Sequence, residues 1–190
     1  MSANGCPTSR RLYEKWDIAA IIECIIGANM TTPAVKSVIT PDNDAVVTEI
    51  EIAAPPASVF QALTTRDQAL QWGCGEAFEV THWEMDTRPG GSWRFTSKQR
   101  TPAGTDKGFD HHGEVLQIDP PRLLELSWFA SWHPDPAHRT VVRWDLVPIP
   151  TGTHLKVTHS NLAALAGAAQ GYSQGWPGLV QQIKNFIEKQ

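Results

Sequence analysis

Three sets of residues in this sequence have side chains able to act on another molecule. Histidine is the first. Asp110, His111 and His112 are consecutive, His133 and His138 share one short segment, and His159 closes an alternating apolar and polar run. Zinc needs ligands that converge, whereas neighbours on an extended strand point to opposite faces. Pairs of the form His-x-x-x-His or His-Glu-x-x-His on a helix are absent from the sequence. No metal and no cofactor is therefore expected. His112 and His159 are the more useful pair. Strand parity groups His112 with Glu114, Leu116 and Ile118, and His159 with Leu155 and Val157. Facing one apolar hollow, the two imidazoles could orient a ligand, polarise a carbonyl or shuttle a proton. The second set is Gly171-Tyr172-Ser173-Gln174-Gly175, which fits the Gly-x-Ser-x-Gly pattern of a nucleophile elbow. That motif needs a strand before it and a helix after it. Here the preceding Leu162 to Gln170 is Ala-rich and not strand-like, so Ser173 reads as a chance match. The third set is the eight tryptophans. Large aromatics fill cores, and they also wall pockets for ring-shaped ligands.

The elements that must position these residues follow from periodicity. Ala45 to Ala53 alternates, with Val46, Thr48, Ile50 and Ile52 on one face and Glu49 and Glu51 on the other, as a half-buried strand does. Pro55-Pro56 ends it, and short helices are expected at Ala57 to Leu63 and, capped by Thr65, at Arg66 to Gln71. Six further strands are expected: Glu76 to Met85, Ser92 to Ser97, Phe109 to Ile118, Leu123 to Ala130, Thr140 to Pro148 and Thr153 to Ser160. The turns between them carry Pro89-Gly90-Gly91, Pro102-Ala103-Gly104, Asp119-Pro120-Pro121 and Pro150-Thr151-Gly152. Such short connections suit antiparallel neighbours and leave no room for crossover helices. A long amphipathic helix closes the chain, with Trp176, Leu179, Val180, Ile183, Phe186 and Ile187 on its apolar side and Pro177 in its first turn. Asn161 to Gly175, weakly patterned, reads as a lid beside that helix or as a plain connector. The expected class is α+β: a curved antiparallel sheet of about seven strands wrapped around the last helix, leaving space between them.

Parity then assigns the indoles. Trp93 falls with Phe95, Trp128 with Leu124 and Leu126, and Trp144 with Val142 and Leu146, each opposite the final helix. The expected lining is Trp72, Trp93, Phe95, Trp128, Trp144, Trp176 and Leu179, with His112 and His159 as polar contacts.

Five stretches carry a family resemblance: Ile52 to Thr64, Thr87 to Trp93 through Arg-Pro-Gly-Gly, Gly113 to Leu123 through Asp-Pro-Pro, Gly152 to Ser160, and Gly175-Trp176. In this order and spacing they resemble the START-like or SRPBCC superfamily, the helix-grip fold. Within it they are similar to the branch related to the C-terminal domain of the activator of the ninety-kilodalton heat-shock-protein ATPase. The resemblance spans Val46 to Ile187. It implies cavity binding of lipids, hormones, polyketides or other apolar ligands, for transport, stress response or sequestration. It also implies two alternatives: a module that contacts a chaperone or other protein, and a cyclase-like or hydrolase-like enzyme using His112, His159 or Ser173. Because a separate N-terminal co-chaperone domain is not seen in the sequence, ATPase activation is expected less than ligand binding. One fold hosts many activities, so the site must decide.

Bulk properties narrow the partners. Sixteen Lys and Arg against twenty Asp and Glu give a formal charge of −4, and no basic run tracks a phosphate backbone, which disfavours nucleic acid. Cys6, Cys24 and Cys74 are odd in number and scattered, which fits a reducing cytoplasm. Residues 1–40 are expected to be a loosely attached extension preceding a domain over 44–190. A short helix over 11–28 presents Ile18, Ile21, Ile22, Ile25 and Ile26. Glu23 interrupts that run, no Ala-x-Ala site follows, and the run falls short of the ~20 residues of a membrane span. Met30 opens a segment that looks like a natural start. Homodimer formation is left open.

Overall fold

A computed structural model describes residues 35–73, 78–99, 108–135 and 137–190. The helix expected over 11–28, the first residues of the strand expected from Glu76, and the Pro102-Ala103-Gly104 turn lie outside them. The described elements run β1 (Ser37–Ile39), β2 (Val46–Ile52), α1 (Pro56–Thr64), α2 (Arg66–Trp72), β3 (Phe78–Met85), β4 (Ser92–Gln99), β5 (Gly108–Asp119), β6 (Leu123–Ala130), β7 (Thr140–Ile149), β8 (Gly152–Ser160) and α3 (Ala168–Ile187). All eight strands form one antiparallel sheet in the order β1-β2-β8-β7-β6-β5-β4-β3. The seven longer strands are those the sequence implied. The eighth is β1, three residues that pair Val38 with Val47 at the sheet's edge. So short a strand carries no periodic signal.

Alternation dictates the core. Val46, Thr48, Ile50 and Ile52 of β2 are buried and meet His159, Val157, Leu155 and Thr153 of β8, which are buried too. Thr140, Val142, Trp144 and Leu146 continue this face on β7. In α1, Pro56 occupies the first turn, and Val59, Phe60, Ala62 and Leu63 turn inward. Thr65 stands at the N-cap of α2 without a side-chain cap bond; its carbonyl instead accepts from Gln68 and Ala69. In the β3–β4 hairpin Gly90 adopts φ +75°, and a Cβ on Gly91 would sit 2.1 Å from the Asp86 carbonyl oxygen, so the Gly-Gly pair is demanded by backbone shape.

The last helix starts eight residues before Trp176. Gly167, at φ +77°, leads into Ala168. Buried Ala168, Tyr172, Trp176, Val180, Ile183 and Ile187 then repeat at helical spacing. Pro177 is therefore inside the helix and not in its first turn, and its missing N–H leaves the Ser173 carbonyl without its helical donor. The expected lid over Asn161 to Gly175 dissolves into two parts. Leu162 and Leu165 are buried, and Leu162 and Ala163 are tied by their N–H groups to Asp44. Residues 168–175 form the opening turns of α3. The backbone of α3 comes close to β2, β1, α1 and α2. Across the other half of the sheet the gap is spanned by large aromatic side chains. No helix among the described residues is long and apolar enough to cross a membrane.

Candidate functional site

The concave face of β3 to β6 is lined by rings in sequence. Trp72 of α2 meets Trp83 edge-on at 5.9 Å, Trp83 meets Phe95 at 5.7 Å, Phe95 meets His111 at 5.8 Å and His111 meets Trp128 at 5.0 Å. Trp128 in turn lies 6.1 Å from Trp176 of α3 and 5.9 Å from His159. Strand register explains the series, since Trp83 pairs with Phe95 and Phe95 with His111. Although they pack on the core, Trp83, Phe95, Trp128 and Trp132 are only half-buried, so this end of the ring series reaches solvent.

The other expected residues have structural duties. Trp72 is buried and donates its indole N–H to the Ala62 carbonyl at 2.7 Å. Trp93 is buried and donates to the Ser127 carbonyl at 3.0 Å. Trp144 is buried edge-on against Trp176, with ring centroids 5.5 Å apart. Leu179 is half-buried against the core.

The histidine pair is divided. His159 lies inside, fully buried. His112 lies outside: its side chain is 55% exposed, stacks on Phe129 and stands 3.9 Å from Asp110. The cause is a bulge in β5, where pairing with β6 shifts between Val115 and Gln117. Parity counted from Ile118 across that bulge reverses the face. The inward imidazole is His111. Ser173 is not on a strand-to-helix elbow; it sits within α3 and donates its hydroxyl to the Gln170 carbonyl at 2.8 Å. Among the described residues no cluster of three His, Cys, Asp or Glu is placed to hold a metal ion.

Around His159 a polar group is built into the apolar interior. Thr140 donates its hydroxyl to the Trp128 carbonyl at 3.0 Å, so its remaining contact, 2.8 Å to His159 Nε2, is one in which the imidazole donates. His159 Nδ1 is then a bare acceptor. Trp132 donates to His111 Nε2 at 3.4 Å, which places the His111 proton on Nδ1. His133 Nε2 shares a 2.8 Å bond with the Tyr172 hydroxyl, and the Tyr172 ring packs 3.9 Å from that of His159. Six buried polar atoms meet no partner among the described residues: the indole nitrogens of Trp83, Trp128 and Trp176, and Nδ1 of His111, His133 and His159. A buried polar group left unmet costs about 1–3 kcal/mol, so each of the six calls for a partner.

A family model described as Activator of Hsp90 ATPase homolog 1-like protein matches residues 53–188. The chain belongs to this family. Its helix-grip architecture is shared with solved structures of family members and their kin. A Rhodobacter sphaeroides protein is 18% identical with TM-score 0.68, over 82% of this chain and 98% of that one. The AHSA1 protein of Silicibacter pomeroyi is 20% identical with TM-score 0.64, over 76% and 98%. A Mesorhizobium loti protein is 26% identical with TM-score 0.56, over 76% and 97%. No curated protein matches the chain.

In this Hsp90 ATPase activator homolog-like domain the interior is kept uncharged. Burial pushes His111 down to about 3, helped by nearby His133, against a weaker opposing pull from Asp110. Burial, then the neighbouring His138, takes His133 down to about 4. His159 lies well below its ordinary value, first through burial and then through His133 and His111. Burial raises Tyr172 well above the usual phenol range; the Trp128 indole, close to its oxygen but outside hydrogen-bonding geometry, opposes this in part. Sequence reading missed Trp83, His111, Trp132, His133 and Tyr172 as members of this wall. Trp83 was detectable from its own strand, two residues from apolar Met85. Tyr172 was detectable as the residue one helical turn before Trp176.

Proposed function

We propose that this family member binds a small, planar, largely apolar molecule between the concave sheet face and α3. The observation that carries this reading is the set of inward-facing but half-buried rings, Trp83, Phe95, Trp128 and Trp132. Large aromatics that face a core and still retain access to solvent mark the wall of a binding hollow. Binding is favoured over catalysis. Histidines held far below neutrality are weak bases, and a phenol raised above its usual range is a weak acid at pH 7. Residence in the cytoplasm and a sequestering or transport role fit such a binder and belong to the same proposal.

The chaperone-contact reading calls for a broad exposed apolar surface. Among the described residues the exposed large hydrophobics are Val38 and Val147, on β1 and β7, strands separated in the sheet by β2 and β8. Two isolated side chains do not make a docking patch. The test is a titration of tryptophan emission with fatty acids, flavonoids and aromatic polyketides, paired with a pull-down on the Hsp90 ATPase. Saturable change with ring-shaped compounds supports the hollow. A flat response across the panel together with capture of the ATPase overturns it in favour of protein contact.

A further inference from the structure

Resting on the binding reading above, we infer that the ligand is an uncharged ring system presenting hydrogen-bond-accepting oxygens, and that carboxylates are rejected. The unmet groups of the wall are mostly donors. Trp83 and Trp176 each carry a buried, unpartnered indole N–H, which can only donate, and so does Trp128, whose indole also lies beside the Tyr172 oxygen. His111 presents Nδ1–H, because its Nε2 already accepts from Trp132. The single assigned acceptor is His159 Nδ1, fixed by the Thr140 relay. Donors of this kind are met by ketone, quinone or ether oxygens. A hydrocarbon leaves them unmet.

Charge selects further. Several lysines and arginines of the sheet and α3 already have acidic partners. Arg94 pairs with Asp110, Arg143 with Glu125 and Asp145, and Lys184 with Glu188. Lys156 stands between Glu49 and Asp145 on the outer register. A buried carboxylate would therefore find none of these four cations free to offset its desolvation. His159 Nδ1 gives the second point of orientation, a place for one hydroxyl or N–H on an otherwise acceptor-bearing ring.

Three molecules of one shape separate the terms: 9-fluorenone, fluorene and fluorene-9-carboxylate. Each is titrated into the full chain with calorimetry and with ¹H–¹⁵N spectra of the indole N–H groups. The inference expects 9-fluorenone to bind at least tenfold tighter than fluorene, with the carboxylate weakest. It expects the Trp128 and Trp176 indole protons to move downfield with 9-fluorenone and to stay near their free positions with fluorene. In the Trp176→Phe variant, which keeps a ring and loses the donor, the preference for the ketone should shrink severalfold while fluorene affinity changes little; the indole shifts supply the same answer in the unmodified chain. Equal binding of ketone and hydrocarbon, or tightest binding of the carboxylate, overturns the inference and leaves the hollow standing. No binding by any of the three, nor by the broader panel, overturns both.

Discussion

Mild acid should destabilise this domain, and the histidines set the pH at which the loss starts. His111 and His159 are neutral in the folded interior, with ionisation depressed below the ordinary 6.5 of the unfolded chain. Below pH 6.5 the unfolded state takes up protons that the folded state refuses. The stability they allow is therefore complete above about 6.5 and is lost as pH falls toward the folded values. Each such group costs about 1.4 kcal/mol per pH unit in that window. From pH 6.5 to 5 the two together cost about 4 kcal/mol, a large part of the 5–15 kcal/mol expected of a domain. His133, also depressed, adds to the loss in the same direction. With a urea dependence of about 2 kcal/mol per molar, the unfolding midpoint should fall by about 2 M. The assay is urea unfolding followed by far-ultraviolet circular dichroism at pH 7, 6 and 5. His111→Gln and His159→Gln, each removing one of the three titrating rings, should each cut the pH-dependent loss by roughly a third. Identical midpoints at pH 7 and pH 5 in the unmodified chain would refute the reasoning, because they would mean that these imidazoles are hydrated in the folded state.

Four substitutions probe the rest of the architecture. Trp93→Phe loses the 3.0 Å bond to the Ser127 carbonyl and some ring volume, and should lower unfolding free energy by about 1–3 kcal/mol in denaturant titrations. Gly113→Ala would place a Cβ 2.0 Å from the Ser127 carbonyl oxygen, a backbone clash that no rotamer relieves, and should cost about 3 kcal/mol or more by the same measurement. Ser173→Ala should shift stability by no more than about 0.5 kcal/mol and leave ligand titrations unchanged, since its hydroxyl only returns to the Gln170 carbonyl. His112→Ala, on the outer face, should likewise leave 9-fluorenone affinity unchanged; a tenfold loss would return that residue to the site.

The sheet was legible wherever a strand ran without interruption. The alternation of Val46 to Ile52, of Val142 to Leu146 and of Leu155 to His159 was read correctly because nothing broke the two-residue period. In β5 the same rule failed, since the register shift between Val115 and Gln117 is invisible in residue types. Parity counted without that shift puts His112 on the inner face, which His111 occupies. The opening turns of α3 escaped notice for a different reason: Ala168, Ala169 and Gly171 bury backbone and not bulk, so the apolar stripe has little hydropathy to show. Trp93 and Trp144, which strand parity puts on the apolar face, are buried, as is Trp72 at the end of α2. Which indole N–H groups find a carbonyl and which stay unmet depends on tertiary geometry that no spacing rule encodes.

An accessible hollow walled by rings is the premise of the proposed binding. Intermolecular nuclear Overhauser contacts from bound 9-fluorenone test it most directly. They are predicted to reach ring protons of Trp83, Phe95, Trp128 and Trp132. Contacts confined to the outer face, at Phe129, Val38 or Val147, would contradict it.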